Sequence, residues 1–146
     1  MVRVRIFDHC HASAMGLDLP ALEDLAAEAF PLCLRESISE SALPADLAEV
    51  EVSLVTAAEI ARLHDEFMDD PSPTDVITFH HGEILISPET AQQQRRPHGH
   101  SLQREVALYL IHVLLHLAGH EDTTDAGAEL MKRLQERILS EVAPVA

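Results

Sequence analysis

Long hydrophobic runs and aromatic residues are both scarce in this sequence, and the two absences narrow the class of protein. No apolar stretch approaches the ~18 to 20 residues that a membrane-spanning helix needs, and the charged amino terminus is unlike a secretory signal. Aromatic residues make up only 3% of the 146 positions, so the 47% of hydrophobic residues predict a globular protein with an aliphatic core. We therefore expect a single cytoplasmic domain over residues 1–146, with no membrane contact.

Cysteine is also rare, which argues against a disulfide scaffold or a cysteine-based metal site. Cys10 and Cys33 are the only cysteines, and they show no Cys-x-x-Cys spacing. Two thiols in a cytosolic protein usually stay reduced. His9 and His11 flank Cys10, but neighbours in an extended segment point to opposite faces, so these three side chains do not converge on one ion.

Basic residues are few, and this limits how the protein can contact a nucleic acid. The chain has 25 acidic and 10 basic residues, a formal net charge of −15. Proteins that bind phosphates by counterion release normally carry basic clusters, whereas the adjacent basic pairs here are Arg95-Arg96 and Lys132-Arg133. Any binding of nucleic acid must therefore be local, assisted by a metal or helped by a partner, and the acidity otherwise serves solubility.

The hydrophobic pattern predicts an α+β fold in which helices pack on a small mixed β-sheet of about four strands. Apolar residues alternate or form short β-branched runs in four predicted strands, at 2–8, 48–55, 75–79 and 83–87. Helical spacing predicts four helices, at 20–34, 57–67, 101–118 and 124–140. The helix over 101–118 is apolar on nearly all sides, so we expect it to be central. The polar segment 90–100 is expected to be a loop with at most one helical turn.

The segment that carries chemistry lies at the end of this central helix. His112 and His116 are one turn apart, so their imidazoles can bind one ion from the same helix face. Two unpaired imidazoles buried in an apolar helix would each cost on the order of 1–3 kcal/mol. Gly119 predicts the end of the helix. A straight continuation would carry the next candidate ligand along the helix axis, too far from His112 to share one ion with it. Spacing alone leaves the third ligand open among three residues, His120, Glu121 and Asp122.

This segment resembles the metal signature of the YbeY family, rRNA maturation factors with endoribonuclease activity, whose pattern is H-G-x-L-H-L-x-G-Y-D-H. A second block, Pro-Thr-Asp-Val-Ile-Thr-Phe at 73–79, is similar to that family's P-T-D-V-L-S-F. It is followed at 82–87 by Gly-Glu-Ile-Leu-Ile-Ser, which is similar to the family's G-D-I-x-I-S. Among the positions of the signature that match in place are His112, His116, Leu117 and Gly119.

The resemblance implies a metal-dependent hydrolase, an endoribonuclease acting in rRNA maturation by means of a metal-activated water. The metal ligands it implies are His112, His116 and Asp122, because Asp122 stands where the family has its third histidine. Zinc accepts this donor set, and two histidines with one carboxylate also hold iron or manganese. Glu105 falls where the family tends to carry a glutamate, and we expect its carboxylate to orient the helix or to support a metal ligand. RNA or a ribosomal subunit is the implied partner, and DNA is not expected.

The departures from the family pattern keep two alternatives open. Met68 stands where the family carries an arginine thought to serve catalysis, and Arg62 or Arg104 would have to substitute for it. Val113 replaces the glycine after the first histidine, and it also excludes the general base of His-Glu-x-x-His peptidases. The alternatives are therefore a metallohydrolase of another substrate on the same scaffold and a non-catalytic, ribosome-associated metal protein.

Several polar residues have a structural and a functional interpretation. His120 and Glu121 are candidates for proton transfer, or else solvated loop residues or partners of the ligands. Thr74 and Asp75 either form a turn that starts a strand or line a cleft near the metal. The remaining histidines of the middle region, in His80-His81 and His98-Gly99-His100, are expected to be exposed loop residues.

Overall fold

The computed structural model describes residues 3–36, 49–70, 74, 76–79, 82–98 and 101–142, with the side chains of 94–98 left aside. Within these ranges, a short 3-10 helix at Ala12–Met15 accompanies four strands and five α-helices. The strands are β1 (Arg3–Asp8), β2 (Glu49–Leu54), β3 (Val76–Phe79) and β4 (Glu83–Ile86). The helices are α1 (Leu19–Arg35), α2 (Ala57–Met68), α3 (Pro88–His98), α4 (Leu102–Leu117) and α5 (Asp125–Val142).

The four strands form one mixed sheet in the order β1-β2-β4-β3. β1, β2 and β4 run parallel to one another, whereas β3 pairs with β4 in the antiparallel sense and lies at one edge. Parallel neighbours need a crossover connection, which helices supply here, while β3 and β4 are adjacent in sequence and form a hairpin. The predicted α+β class with a mixed sheet of about four strands is therefore confirmed.

The larger hydrophobic core is built around α4. Eleven of the 16 residues of this helix are buried, and it contacts α1, α3 and α5. A smaller cluster, formed by Val55, Ile60, Ile77 and Leu85, brings α2 against alternate positions of β3 and β4. Because successive strand residues point to opposite faces, the two clusters occupy the two sides of the sheet. The prediction that the histidine-bearing helix is central is confirmed.

The prediction of a loop over 90–100 is wrong, because a helix occupies Pro88–His98. Ser87 begins this helix: its carbonyl accepts from Ala91 N at 3.1 Å and its hydroxyl contacts Thr90 N at 3.4 Å. The segment lacks an apolar stripe, so hydrophobic periodicity misses it. Its glutamines and arginines are nevertheless good helix formers, and the fully buried Ala91 anchors the first turn in the core.

Thr56 and Glu59 have the spacing of a capping box, and one half of it is formed at the start of α2. Thr56 Oγ1 accepts from Glu59 N at 3.1 Å, as expected. The Glu59 carboxylate is instead bound by the guanidinium of Arg62, with Nη2 to Oε1 at 2.7 Å, and Arg62 also contacts Glu66 at 2.8 Å. Arg62 is thus held in ion pairs along the exposed face of α2.

Among the described residues, no helix combines the length and the apolar character needed to cross a membrane.

Both cysteines are free thiols, Cys33 buried and Cys10 partly buried. Burial, aided by the negative charges of Asp8 and Glu89, raises the pKa of Cys10 to about 11. Burial raises the pKa of Cys33 to about 12. Since the thiolate is the reactive form, neither thiol is activated at neutral pH.

We expect the folded protein to react slowly with a thiol reagent such as 5,5′-dithiobis(2-nitrobenzoate). The thiolate fraction falls tenfold for each unit by which the pKa rises, so Cys10 at about 11, against an ordinary 9.0, should react on the order of 100-fold more slowly than in the unfolded chain. The rates are compared at pH 8 with and without guanidinium chloride. Rapid labelling of Cys10 in the folded protein would contradict the expectation.

Candidate metal centre

The ring nitrogens of His112 and His116 meet on one face of α4. Their Nε2 atoms are 3.0 Å apart, and Asp122 Oδ2 lies 3.6 Å from the first and 3.9 Å from the second. Ligand atoms at ~2 Å from one tetrahedral ion are separated by roughly 3.3 Å, which falls within the range of these separations. The donor set of two imidazoles and a carboxylate therefore fits a divalent metal ion, and the three residues form a possible metal-binding group.

The turn after α4 brings Asp122 back towards the helix. Gly119 has a φ of 101°, in the left-handed region that favours glycine. Gly119 N donates to His116 O at 3.0 Å, and His120 N donates to Leu115 O at 3.0 Å. These two bonds make the Schellman arrangement that ends helices. The predicted helix stop at Gly119 is confirmed, and the reversal that follows brings Asp122 Oδ2 to 3.6 Å from His112 Nε2.

Hydrogen-bond acceptors at the Nδ1 atoms orient the two imidazoles, whose Nε2 atoms face one another. His116 Nδ1 lies 2.9 Å from the carbonyl oxygen of His120, and His112 Nδ1 lies 2.7 Å from Gln135 Oε1 on α5. A carbonyl oxygen can only accept, so each Nδ1 carries the proton and each Nε2 presents a lone pair. Two lone pairs 3.0 Å apart beside a carboxylate repel one another unless a cation lies between them.

Electrostatics also favour the ligand form of His116. Burial, with a further effect of the neighbouring His112 ring, lowers the pKa of His116 below its usual value of 6.5, although Asp122 opposes the shift. The imidazole is therefore neutral at pH 7, as metal binding requires. The side chains of His112, His116 and Asp122 are 25%, 20% and 44% exposed, so the group lies at the surface and not in a closed cavity.

The first turn of α5 packs directly on the backbone that precedes Asp122. A Cβ atom at Gly127 would collide with the carbonyl oxygen of Glu121, and would lie 3.0 Å from Thr124 Oγ1. Gly127 N donates to the same Thr124 hydroxyl at 3.0 Å. A glycine at this helical position allows the turn and the helix to approach this closely.

Gly127→Ala should therefore destabilise the protein and weaken metal binding. Helix propensity alone would predict a gain of about 1 kcal/mol on replacing a helical glycine by alanine. The steric contact predicts the opposite sign, a loss of about 1–3 kcal/mol, because the Glu121 carbonyl and then Asp122 must move. Urea unfolding and a metal-binding titration measure both effects. A stabilised variant with unchanged affinity would show that the turn adjusts freely.

His120 does not join the metal group, and this corrects two interpretations of it. Its side chain is 2% exposed, and its Nε2 donates to the backbone carbonyl of Glu36 at the end of α1. The ring thus anchors the turn to α1 and is neither a third ligand nor a proton-transfer group. Glu121 is exposed and stays a candidate for proton transfer.

Other residues singled out from the sequence lie outside the group. Glu105 is 5% exposed, and its Oε2 has no hydrogen-bond partner among the described residues; it does not hold His112, whose Nδ1 contacts Gln135 instead. Arg104 is paired with Glu136 at 3.0 Å. Thr74 Oγ1 donates to Val76 O at 3.1 Å, in agreement with a turn that starts β3.

Some of the predicted positions fall where the structure gives no description. Asp75, His80, His81 and His100 lie outside the described residues, as does the side chain of His98. Met68, at the end of α2, is 47% exposed.

Gln135 contacts the candidate metal group and was not singled out from the sequence. It lies on α5 beside Leu134, at the border of the apolar stripe that includes Met131 and Ile138. A glutamine at the border of an apolar stripe is the one signal that the sequence offered. The contact with His112 joins α5 to α4, and no local pattern encodes a contact of that kind.

A family model described as endoribonuclease YbeY matches residues 15–143. The chain belongs to the YbeY family. The family is one of endoribonucleases, which are hydrolases that cut RNA internally, and the resemblance noted in the sequence is confirmed. The matched region contains all three residues of the metal group, so the group lies within the part of the chain that defines the family.

Individual relatives agree with this assignment. The endoribonuclease YbeY of Micrococcus luteus is 39% identical over 111 residues, 65% of this chain and 71% of the relative. The endoribonuclease YbeY of Moorella thermoacetica is 32% identical over 152 aligned positions, 91% of this chain and 96% of the relative. The solution structure of TM1509 from Thermotoga maritima has 27% identity and a TM-score of 0.63, over 95% of this YbeY-family chain and 88% of the other.

Proposed function

We propose that this chain is a metal-dependent endoribonuclease that acts in rRNA maturation in the cytoplasm, with zinc held by His112, His116 and Asp122. The observation that carries the proposal is the convergence of three ligand atoms, all within 4.8 Å of one another, in a chain of an endoribonuclease family. Iron and manganese are the alternative metals, because both accept two imidazoles and one carboxylate.

A divalent ion bound by three protein ligands supplies Lewis acidity, lowering the pKa of a coordinated water and polarising a phosphoryl oxygen. The chain's own residues prepare that site. Gln135 and the His120 carbonyl hold the Nδ1 protons of the two histidines, so both Nε2 atoms face the shared position. Asp122 contributes a negative charge to the group. A water on the ion would therefore be less acidic than it would be with a neutral imidazole as the third ligand.

The charge distribution affects how RNA reaches this site. Arg62 and Arg104, the residues that could replace the family's arginine, are both engaged in ion pairs on the protein surface. With 25 acidic and 10 basic residues in the chain, little counterion release is available to bind a phosphate backbone. We therefore propose that the substrate is presented by a partner, a ribosomal subunit, and not captured as free RNA.

The test measures metal content and RNA cleavage on the same preparation. Protein purified without added metal or chelator is analysed for zinc, iron and manganese, then assayed on structured rRNA before and after chelation and after restoring each metal. One equivalent of metal, with cleavage lost on chelation and restored by that metal, is the expected result. Cleavage that persists in the metal-free protein would overturn the proposal.

A second candidate function is favoured by Met68. An exposed methionine at the end of α2 leaves the position of the family's arginine without a charge. A metallohydrolase with a substrate other than RNA would tolerate this change. The same metal-loaded protein assayed on simple phosphodiesters and peptides separates the two functions, since only the second predicts turnover there with none on rRNA.

A further inference from the structure

We propose that Gln135 is the positioning residue that makes His112 a metal ligand, and that its neutral amide sets the charge of the metal site. This inference rests on the proposed function, because it assumes that a metal binds at His112, His116 and Asp122. It concerns a residue on a different helix from both histidines. The evidence is the 2.7 Å contact between Gln135 Oε1 and His112 Nδ1.

The contact fixes both the direction and the tautomer of the His112 ring. An imidazole carries one proton in its neutral form, and an acceptor at Nδ1 places that proton there, leaving the lone pair on Nε2. Without the acceptor, the proton can occupy Nε2, the atom that lies 3.0 Å from His116 Nε2. Ligand histidines in metal proteins are commonly held by such an acceptor, and its loss typically costs 10–100-fold in affinity.

The two histidines differ in the kind of acceptor that holds them. His116 Nδ1 is held by a backbone carbonyl, that of His120, which no substitution can remove. His112 Nδ1 depends on a side chain. Of the two contacts, the one between Gln135 and His112 is therefore the one that a substitution can remove while the three proposed ligands stay unchanged.

The amide also determines the total charge around the ion. A divalent cation with two neutral imidazoles and one carboxylate leaves a net charge of +1. A glutamate at position 135 would accept the same hydrogen bond and bring a second negative charge, giving zero. We therefore expect the Gln135→Glu variant to bind the metal at least as tightly as the wild-type protein does. A water on the ion would be less acidic in the variant.

The test is a titration of the metal-free protein with Co²⁺, whose visible absorption reports the geometry of its ligands, and with Zn²⁺ in competition with a chromophoric chelator. Gln135→Met keeps the volume and removes the acceptor. We expect the Kd to rise 10–100-fold and the Co²⁺ spectrum to change. Gln135→Glu should restore or exceed the wild-type affinity. Lys132→Met, an exposed change on the same helix, is the matched control and should leave both unchanged.

The outcomes separate the inference from the function on which it rests. Wild-type protein that binds no metal overturns both. If the wild-type protein binds metal and Gln135→Met shows the same affinity and Co²⁺ spectrum, the inference alone is overturned. It is also overturned if Gln135→Glu binds metal no more tightly than Gln135→Met. Thermal unfolding of each metal-free variant checks folding. If Gln135→Met does not fold, Gln135→Asn, whose shorter amide cannot reach His112, takes its place.

Discussion

Replacing His116 by alanine should abolish metal binding at the proposed site and lower RNA cleavage by about a thousandfold or more. The ring supplies one of three ligand atoms, and its Nε2 lies 3.0 Å from that of His112. Two remaining ligands on separate elements, α4 and the turn after it, cannot hold a catalytic ion at its open coordination position. Loss of the several kcal/mol of transition-state stabilisation that a metal supplies corresponds to this factor in rate.

A matched histidine control separates the loss of the ligand from a general effect on folding. His9→Ala removes an exposed imidazole that is outside the metal group, and it should keep full metal content and activity. Far-ultraviolet circular dichroism and thermal unfolding compare both variants without metal. The proposal fails if His116→Ala loses its metal but cleaves rRNA at the wild-type rate.

Apart from α3 and the short helix at Ala12–Met15, the fold was predictable because each element carries its own pattern of hydrophobic residues. Alternation in 2–8 and 48–55 predicts strands that the structure places at Arg3–Asp8 and Glu49–Leu54. The failure at α3 has a physical cause: that helix rests on the propensity of polar residues and the capping by Ser87, neither of which creates a periodic apolar stripe. The expectation of one domain over residues 1–146 stays a prediction.

The site was predictable only where its geometry is local. His112 and His116 are brought together by the helix itself, so spacing suffices. The proposed third ligand, Asp122, required the family pattern, because spacing alone does not tell which of three side chains a reversal after Gly119 brings near. The contacts of Gln135 with His112 and of His120 with Glu36 join elements far apart in sequence, and no local pattern in one sequence predicts such tertiary contacts.

Met68→Arg should raise rRNA cleavage by the metal-loaded protein by about 10- to 100-fold. Met68 stands where the family resemblance places an arginine, and its side chain is 47% exposed at the end of α2. A guanidinium directed at charge that develops on a phosphoryl group is worth about 10²–10³ in rate. Asp69 and Asp70 follow immediately, and their negative charges reduce the gain to the range stated. Metal affinity should not change, because Met68 is not part of the metal group.

The neighbouring position supplies the control for charge alone. Phe67 is 59% exposed, so Phe67→Arg adds the same guanidinium one residue away. The two variants should attract RNA equally through their added charge. Only Met68→Arg should align that charge with the phosphate. A gain in kcat confined to Met68→Arg, with a smaller change in KM, indicates transition-state stabilisation at this position. Equal gains in both variants, removed by added salt, would instead mean that the acidic surface limits RNA binding. No gain in either, with full metal content, would favour the hydrolase of another substrate.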